Sequence, residues 1–174
     1  VVSIKEQAFA DCNRLTDITL SDGVTDIGFR AFYNCRSLQS INIPDTVSKI
    51  SSEAFSGCLS LSAINIPNLV KEIHFNTFNN CSALTSITIG TGVTAIHEGA
   101  FERCSSLSNI TLPKNLSIIG EEAFSACSSL SAITIPNKVT RIEHGCFSGC
   151  TNLKKATLPD GITFIGSDAF YECS

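Results

Sequence analysis

Apolar and polar residues follow a pattern along this chain that returns at a constant interval. In each repeat two apolar residues flank one polar residue, as in Ile41-Asn42-Ile43. A second apolar pair, such as Val47 and Ile50, follows shortly after. Apolar residues at a period of two are typical of a short strand that buries one face. The pattern therefore predicts one short strand per repeat and a chain that turns inward twice in each repeat.

A phenylalanine and a cysteine recur at fixed places in the same repeat. Eight cysteines follow one another at a strict 23-residue interval without insertion, at Cys12, Cys35, Cys58, Cys81, Cys104, Cys127, Cys150 and Cys173. Each stands at the third position after a phenylalanine, at Phe9, Phe32, Phe55, Phe78, Phe101, Phe124, Phe147 and Phe170. The Phe-x-x-Cys segment is too short for more than a turn of helix, so we predict short helical turns there and a spine of phenylalanine side chains.

A regular period of this length indicates a solenoid, because no single repeat can bury its apolar residues alone. Stacked parallel strands lie ~4.8 Å apart, so equivalent residues of successive repeats form columns. The five prolines come directly after the first strand and are expected to end it, at Pro44, Pro67, Pro113, Pro136 and Pro159. The fold class predicted is an α/β repeat solenoid with at least six parallel strands on one side.

Residues 27–47, Ile-Gly-Phe-Arg-Ala-Phe-Tyr-Asn-Cys-Arg-Ser-Leu-Gln-Ser-Ile-Asn-Ile-Pro-Asp-Thr-Val, resemble the signature of BspA-like leucine-rich repeats. The resemblance covers essentially the whole chain. It implies a right-handed solenoid with a parallel β-sheet on one side and short helical turns on the other. It also implies a surface or secreted protein that adheres to other cells or to matrix proteins. The family shares no catalytic residues, so the resemblance gives none to this chain.

The resemblance implies a non-enzymatic protein-recognition or adhesion module at the cell surface or outside the cell, with a surface or matrix protein as its partner. A structural spacer that holds other domains apart is the alternative. Residues 1–174 are expected to form one solenoid and to be a fragment of a longer repeat array, because both ends fall within a repeat. Such a fragment would be able to associate end to end.

Composition narrows the range of partners. The chain has a formal net charge of -4 and no cluster of Lys and Arg, so neither nucleic acid nor anionic lipid is an expected partner. No stretch approaches the roughly 20 apolar residues that span a bilayer, so no membrane-spanning segment is expected.

The cysteines fit three interpretations: zinc ligands, disulfides or buried thiols. Only Cys146 and Cys150 approach the close pairing of a zinc site, and no second pair lies nearby. Neighbouring cysteines in a column would point in parallel, which opposes the near-perpendicular disulfide torsion. We therefore expect all eight regularly spaced cysteines to be buried and reduced.

Few residues support other chemistry. His74 and His97 occupy the same place in neighbouring repeats, and Glu98, Glu121 and His144 form the adjacent column. This flank could hold a divalent cation or be a solvated surface, and we favour the solvated surface. None of the serines that precede the strands, such as Ser105 and Ser128, has a histidine at its own or an adjoining repeat position, so nucleophilic catalysis lacks a base. No enzyme activity, metal or cofactor is predicted.

The most regular exposed column is the candidate partner-binding surface. It consists of the polar residues between the two strand apolars: Thr19, Asn42, Asn65, Thr88, Thr111, Thr134 and Thr157. The alternative is that threonine simply suits an exposed strand. Five aromatic residues outside the phenylalanine spine are better explained by local packing than by binding: Phe29, Tyr33, Phe75, Phe164 and Tyr171.

Overall fold

Each repeat of the sequence becomes one turn, or rung, of a parallel β-solenoid. The computed structural model describes residues 2–173 and contains about seven turns. Its strands are β1 (Val2–Ile4), β2 (Asp17–Thr19), β3 (Val24–Ile27), β4 (Ser40–Asn42), β5 (Lys49–Ile50), β6 (Ala63–Ile66), β7 (Glu72–Ile73), β8 (Ser86–Ile89), β9 (Ala95–Ile96), β10 (Ile118–Ile119), β11 (Ala132–Thr134), β12 (Arg141–Ile142), β13 (Lys155–Thr157) and β14 (Phe164–Ile165).

The strands predicted from the alternating pattern form one wall of the solenoid, which we call the strand wall. It contains β2, β4, β6, β8, β11 and β13. These strands pair in parallel as β2–β4, β6–β8 and β11–β13, with partners one repeat apart, such as Ile64 and Ile87. The predicted single sheet is therefore three two-stranded pieces. Residues 109–111 form no strand, although the alternation there is the same.

A second wall also carries parallel strands, so the expectation of a sheet on one side only was wrong. It is built from β1–β3–β5, β7–β9–β10 and β12–β14. These strands contain the second apolar pair of each repeat, and both Val47 and Ile50 are buried. Four of the five prolines follow the end of a strand in the strand wall within two residues, as Pro67 follows β6, whereas no strand precedes Pro113.

The predicted helical turns around Phe-x-x-Cys are also wrong, because residues 2–173 contain no helix. These segments are series of β-turns, which we call the turn wall. In the first rung the N–H of Ala8 donates to the carbonyl of Lys5 at 3.3 Å, whereas the N–H of Phe9 donates to Ala31 of the next rung at 2.8 Å. Every second N–H group of this segment thus bonds to the next rung, along the solenoid axis. In a helix, these N–H groups would bond to carbonyl groups of the same segment.

Three such bonds join every pair of neighbouring rungs in the turn wall. This wall is therefore hydrogen-bonded without a break, unlike the strand wall.

Residues 2–173 contain no helix with the length and hydrophobicity that a bilayer crossing requires.

Each rung of the turn wall places two residues in the left-handed backbone region. In the first rung these are Gln7 at a φ of 54° and Asp11 at a φ of 58°. A turn whose third residue has positive φ normally uses glycine, since a Cβ there costs about 1–2 kcal/mol. Glycine fills only four of these sites: Gly57, Gly99, Gly145 and Gly149. The other left-handed positions carry residues with a Cβ, so their backbone is strained.

The phenylalanine spine is confirmed. The eight rings stack one on the next with centroid separations of 5.1 to 5.6 Å. The residue before each phenylalanine is also buried wherever it lies between two rungs, including Thr77 and Cys146, which stand in place of alanine. The Thr77 hydroxyl donates to the carbonyl of His74 at 2.8 Å, so its burial leaves no polar group unpaired.

The cysteine expectation holds for most of the column but not for its ends. All nine cysteines are free thiols, and seven are buried: Cys35, Cys58, Cys81, Cys104, Cys127, Cys146 and Cys150. Cys12 is exposed and Cys173 is half-buried, so the prediction that all eight are buried was wrong for these two. The reason is that Cys12 and Cys173 lie in the first and last rungs of the described chain, where one side of the column is open.

The buried thiols also connect the rungs. Each cysteine of the column from Cys35 onward donates its S–H to the phenylalanine carbonyl of the preceding rung, with Sγ···O distances of 3.0 to 3.3 Å. Only a protonated thiol can donate, and burial raises the pKa of Cys81 to about 12. Cysteine therefore supplies both a small apolar side chain and an inter-rung donor.

Candidate recognition surface

The predicted partner-binding column lies where the sequence places it, along the outer face of the strand wall. All seven residues are exposed: Thr19, Asn42, Asn65, Thr88, Thr111, Thr134 and Thr157. Neighbours pair directly in the ladders, for example Asn65 with Thr88 and Thr134 with Thr157. Strand pleating turns them outward while Ile64 and Ile66 point into the core. We call these seven residues the strand-face column.

The side chains of the strand-face column make no hydrogen bond within residues 2–173, which sets them apart from adjacent columns. Three positions earlier, the hydroxyl groups of three repeats bond to the preceding rung. Ser62 donates to the carbonyl of Gln39 at 3.4 Å, and Thr85 donates to the carbonyl of Ser62 at 3.1 Å. Ser131 does the same with Ser108 at 3.2 Å. The side chains of the strand-face column therefore present hydrogen-bond donors and acceptors that are unused within the described chain. Hydroxyl groups of the adjacent column, in contrast, bond to neighbouring rungs.

A shallow groove runs beside the middle of this column. Three adjoining depressions form it, with volumes of about 250, 640 and 590 Å³. The first two share Thr88 and Thr91, and the last two share Thr111 and Lys114. The depressions are thus continuous across the second to sixth rungs. We call this surface the strand-face groove.

The outer edge of the groove is formed by the loops that follow the strands. Asp45 lines one end and Lys114 lines the centre, and they are the charged residues of its lining. Within these loops the Asn68 side-chain oxygen accepts from the N–H of Thr91 at 2.8 Å. Sequence analysis did not identify this edge, although its residues stand three positions after the strand-face column and recur with the same period.

The widest part of the groove coincides with the interruption of the strand wall. Thr111 lines both of the larger depressions. Residues 109–111 form no strand, and no backbone hydrogen bond within the described chain involves their N–H or carbonyl groups. Ile110 and Leu112 still pack inward. The part of the groove lined by Thr111 therefore lies over a rung whose backbone N–H and carbonyl groups at residues 109–111 have no backbone partner within the described chain.

Three of the five aromatic residues outside the spine contact an arginine, whereas Phe75 and Tyr171 are largely exposed, at 46% and 58%. The Arg30 guanidinium lies over the rings of Phe29 and Tyr33, at 4.9 and 5.0 Å from their centroids. Arg30 also forms a two-point ion pair with Glu53 of the next rung. Arg141 lies 3.9 Å from the centroid of the Phe164 ring. These contacts support local packing as the explanation of these three aromatic residues.

The histidine flank differs in composition from the expected one. His74 and His97 do stack, with centroids 5.5 Å apart and rings within 3° of parallel. Their acidic neighbour is Glu72, which lies in β7, two positions before His74. Glu98 and Glu121 are exposed and lie outside this cluster. Strand alternation applied to the second wall could have identified Glu72.

His144, the third expected member of the flank, contacts a different residue. Its Nδ1 lies 2.8 Å from the Ser167 hydroxyl of the next rung. His144 is thus separate from the Glu72–His74–His97 group.

Stacked parallel strands, a phenylalanine spine and an exposed polar column define a leucine-rich-repeat solenoid. The model of the BspA type leucine rich repeat region matches residues 2–130 and 71–174 of the chain. The chain therefore belongs to the BspA-type leucine-rich-repeat family. None of the curated proteins matches it.

Three solved structures are similar to the chain. The T. pallidum leucine rich repeat protein is 29% identical with a TM-score of 0.69, over 99% of this chain and 70% of that one. A leucine rich cell surface protein from Faecalibacterium prausnitzii is 29% identical with a TM-score of 0.62, over 98% and 62%. A leucine-rich repeat protein from Eubacterium ventriosum is 25% identical with a TM-score of 0.79, over 90% and 42%. The chain spans less than two thirds of the last two proteins.

Proposed function

We propose that this chain is a non-enzymatic protein-recognition or adhesion module of a cell-surface or secreted protein, and that its partner lies in the strand-face groove. The observation that carries the proposal is the strand-face column, whose seven exposed polar side chains have no hydrogen-bond partner within residues 2–173. Family membership supports it, as does similarity to a protein described as a leucine rich cell surface protein.

The shape of the groove favours an extended segment of a partner protein. Its three depressions follow the solenoid axis, and each is shallow. Threonine and asparagine side chains of the strand-face column offer hydrogen bonds to a peptide backbone. Apolar groups such as Ile89 and Ile135 lie at its edges.

A structural spacer is the second candidate function. It is favoured by the composition of the strand-face column, which contains no Trp, Tyr or Arg of the kind that anchors most interfaces. The two candidates differ in one measurable respect, since a spacer needs no ligand on the strand wall.

The test is a binding screen of the purified chain against surface and matrix proteins, followed by a charge-substitution series. The groove variant replaces Thr88, Thr111 and Thr134 with lysine. These side chains point to solvent, so the fold should be retained, but three bulky cations should weaken binding in the groove by at least about tenfold. Replacing Asn42, Asn65, Thr88 and Thr111 with lysine extends the same test to the earlier rungs.

A matched control keeps the charge change and moves it to the second wall. Thr94, Thr140 and Thr163 are exposed threonines of one column there, and their replacement by lysine also adds three positive charges. Binding should be unchanged in this control. Equal loss in both triple variants would indicate a general charge effect, and retention in the groove variant would remove the strand-face groove as the site. A screen without any ligand would favour the spacer.

A further inference from the structure

Two neighbouring rungs bring three metal-ligating side chains together on the second wall. Glu72 lies in β7, His74 follows β7, and His97 follows β9. Because β7 and β9 pair in parallel with Ile73 beside Ile96, His74 and His97 are neighbours in one column. Ala95 stands directly beside Glu72 in the ladder. Its methyl group leaves room for the His97 ring to reach the carboxylate.

The three donor atoms are already close. Nε2 of His97 lies 2.8 Å from Oε2 of Glu72, and Nδ1 of His74 lies 3.9 Å from the same oxygen. One donor atom from each residue lies within 4.8 Å of the other two. A tetrahedral zinc ion with bonds of ~2.1 Å sets its donors about 3.4 Å apart. The observed separations lie on both sides of that value.

From this geometry we infer that Glu72, His74 and His97 form a binding site for a divalent transition-metal ion such as zinc. Two imidazoles and one carboxylate are a donor set that zinc uses in proteins, and it leaves a coordination position for water or for a partner's side chain. The ion would link the fourth and fifth rungs on the wall opposite to the proposed groove partner.

Binding requires a small rearrangement of the rings. The two imidazoles are parallel in the structure, so at least one must rotate to direct its lone pair at the ion. The side chains have freedom to do so, since His74 is 30% exposed and His97 is 25% exposed. Phe75 packs against the His97 ring at 5.1 Å and limits the direction of that rotation.

The surrounding charge opposes the binding of a cation at this site. The ammonium group of Lys49 is close enough to act on His74 and opposes a bound cation. A Lys49→Gln variant is therefore expected to bind zinc more tightly than the parent.

The test is isothermal titration of the chain, without an affinity tag, using zinc chloride and separately nickel chloride. The parent protein carries Cys12→Ser, because the exposed Cys12 thiol is itself a potential ligand. We expect one ion per chain and a higher thermal unfolding temperature with the metal.

Substitutions identify the ligands. His74→Ala, His97→Ala and Glu72→Gln should each weaken binding by on the order of 100-fold and remove the thermal shift. His144→Ala is the matched control, since it removes the remaining histidine without touching the cluster, and it should bind like the parent. Thermal unfolding without metal checks that each variant is folded, and His97→Gln replaces His97→Ala if the latter is not. No saturable binding, or binding that survives all three substitutions, would overturn the assignment.

Discussion

Raising the pH should unfold this solenoid through its buried thiols. A thiol that is buried in the fold keeps its proton, because burial raises the pKa of Cys35 to about 11 and of Cys150 to about 12. The same thiol in the unfolded chain loses its proton above pH ~8.5. The folded chain thus binds more protons than the unfolded chain in this range. Stability is fully present below pH ~8.5 and falls as the pH rises toward the folded pKa values.

The size of the effect follows from the number of thiols. Seven cysteines are buried, and the pKa of each is raised. Each thiol that loses its proton only in the unfolded chain lowers the free energy of unfolding by up to ~1.4 kcal/mol per pH unit. Seven together give a loss of about 6 kcal/mol at pH 9 and about 10 kcal/mol at pH 9.5. Small domains have only about 5–15 kcal/mol in total, so the chain should unfold near pH 9.5.

Urea unfolding followed by circular dichroism, at pH 7.5 to 9.5 under a reductant, measures this loss. Cys104→Ala should reduce the dependence on pH by about one seventh, since it removes one linked proton. Cys12→Ser should not change it, because that thiol is exposed. A free energy of unfolding that stays constant up to pH 9.5 would refute the column of buried, protonated thiols.

Three further predictions concern the turn wall, the spine and the thiols. Ala126 has a φ of 56°, so Ala126→Gly should stabilise the chain by about 1 kcal/mol in urea unfolding. Gly149 occupies the equivalent position with a φ of 71° and has room for a methyl group. Gly149→Ala should therefore destabilise the chain by a similar amount. Equal signs for the two changes would contradict the left-handed assignment. Phe101→Ala should cost about 3–5 kcal/mol, because it removes one ring from the middle of the stack, and a cost below about 1 kcal/mol would argue against a packed spine. A thiol reagent should label Cys12 promptly and Cys173 more slowly, with the seven buried cysteines reacting only after unfolding; prompt labelling of Cys81 would contradict their burial.

The strict period of the repeat is enough to predict the solenoid, the columns and the phenylalanine spine. The turn wall was missed because its left-handed positions vary in residue type from rung to rung. Gln7, Arg30 and Glu53 do not mark a positive φ, whereas Asn34 and Gly57, at equivalent positions, do. A single rung such as the first therefore has the composition of a helical turn, and only comparison of all rungs carries the signal. Whether an N–H bonds within its own rung or to the next rung depends on the stacked backbone, which a local pattern does not specify.

The candidate site, too, could be predicted only in part from the local sequence pattern. Strand alternation predicts that Thr88 and Thr111 point outward, and they do. The groove depends in addition on the loops after the strands and on the missing strand at residues 109–111, where Asn109-Ile110-Thr111 has the same alternation as its neighbours. The S–H bond from Cys35 to the Phe9 carbonyl likewise depends on how two rungs are offset. Such offsets arise from packing along the whole stack.

Hydrogen–deuterium exchange, with and without the partner found in the binding screen, tests the central claim most directly. In the free chain the amides of residues 109–111 should exchange quickly, because they have no backbone partner, while those of Phe101 and Phe124 in the turn wall should exchange slowly. Partner binding should slow exchange most at residues 109–112 and at the adjoining strands β8 and β11. Protection confined to the turn wall or the second wall, with residues 109–112 unchanged, would contradict recognition through the strand-face groove.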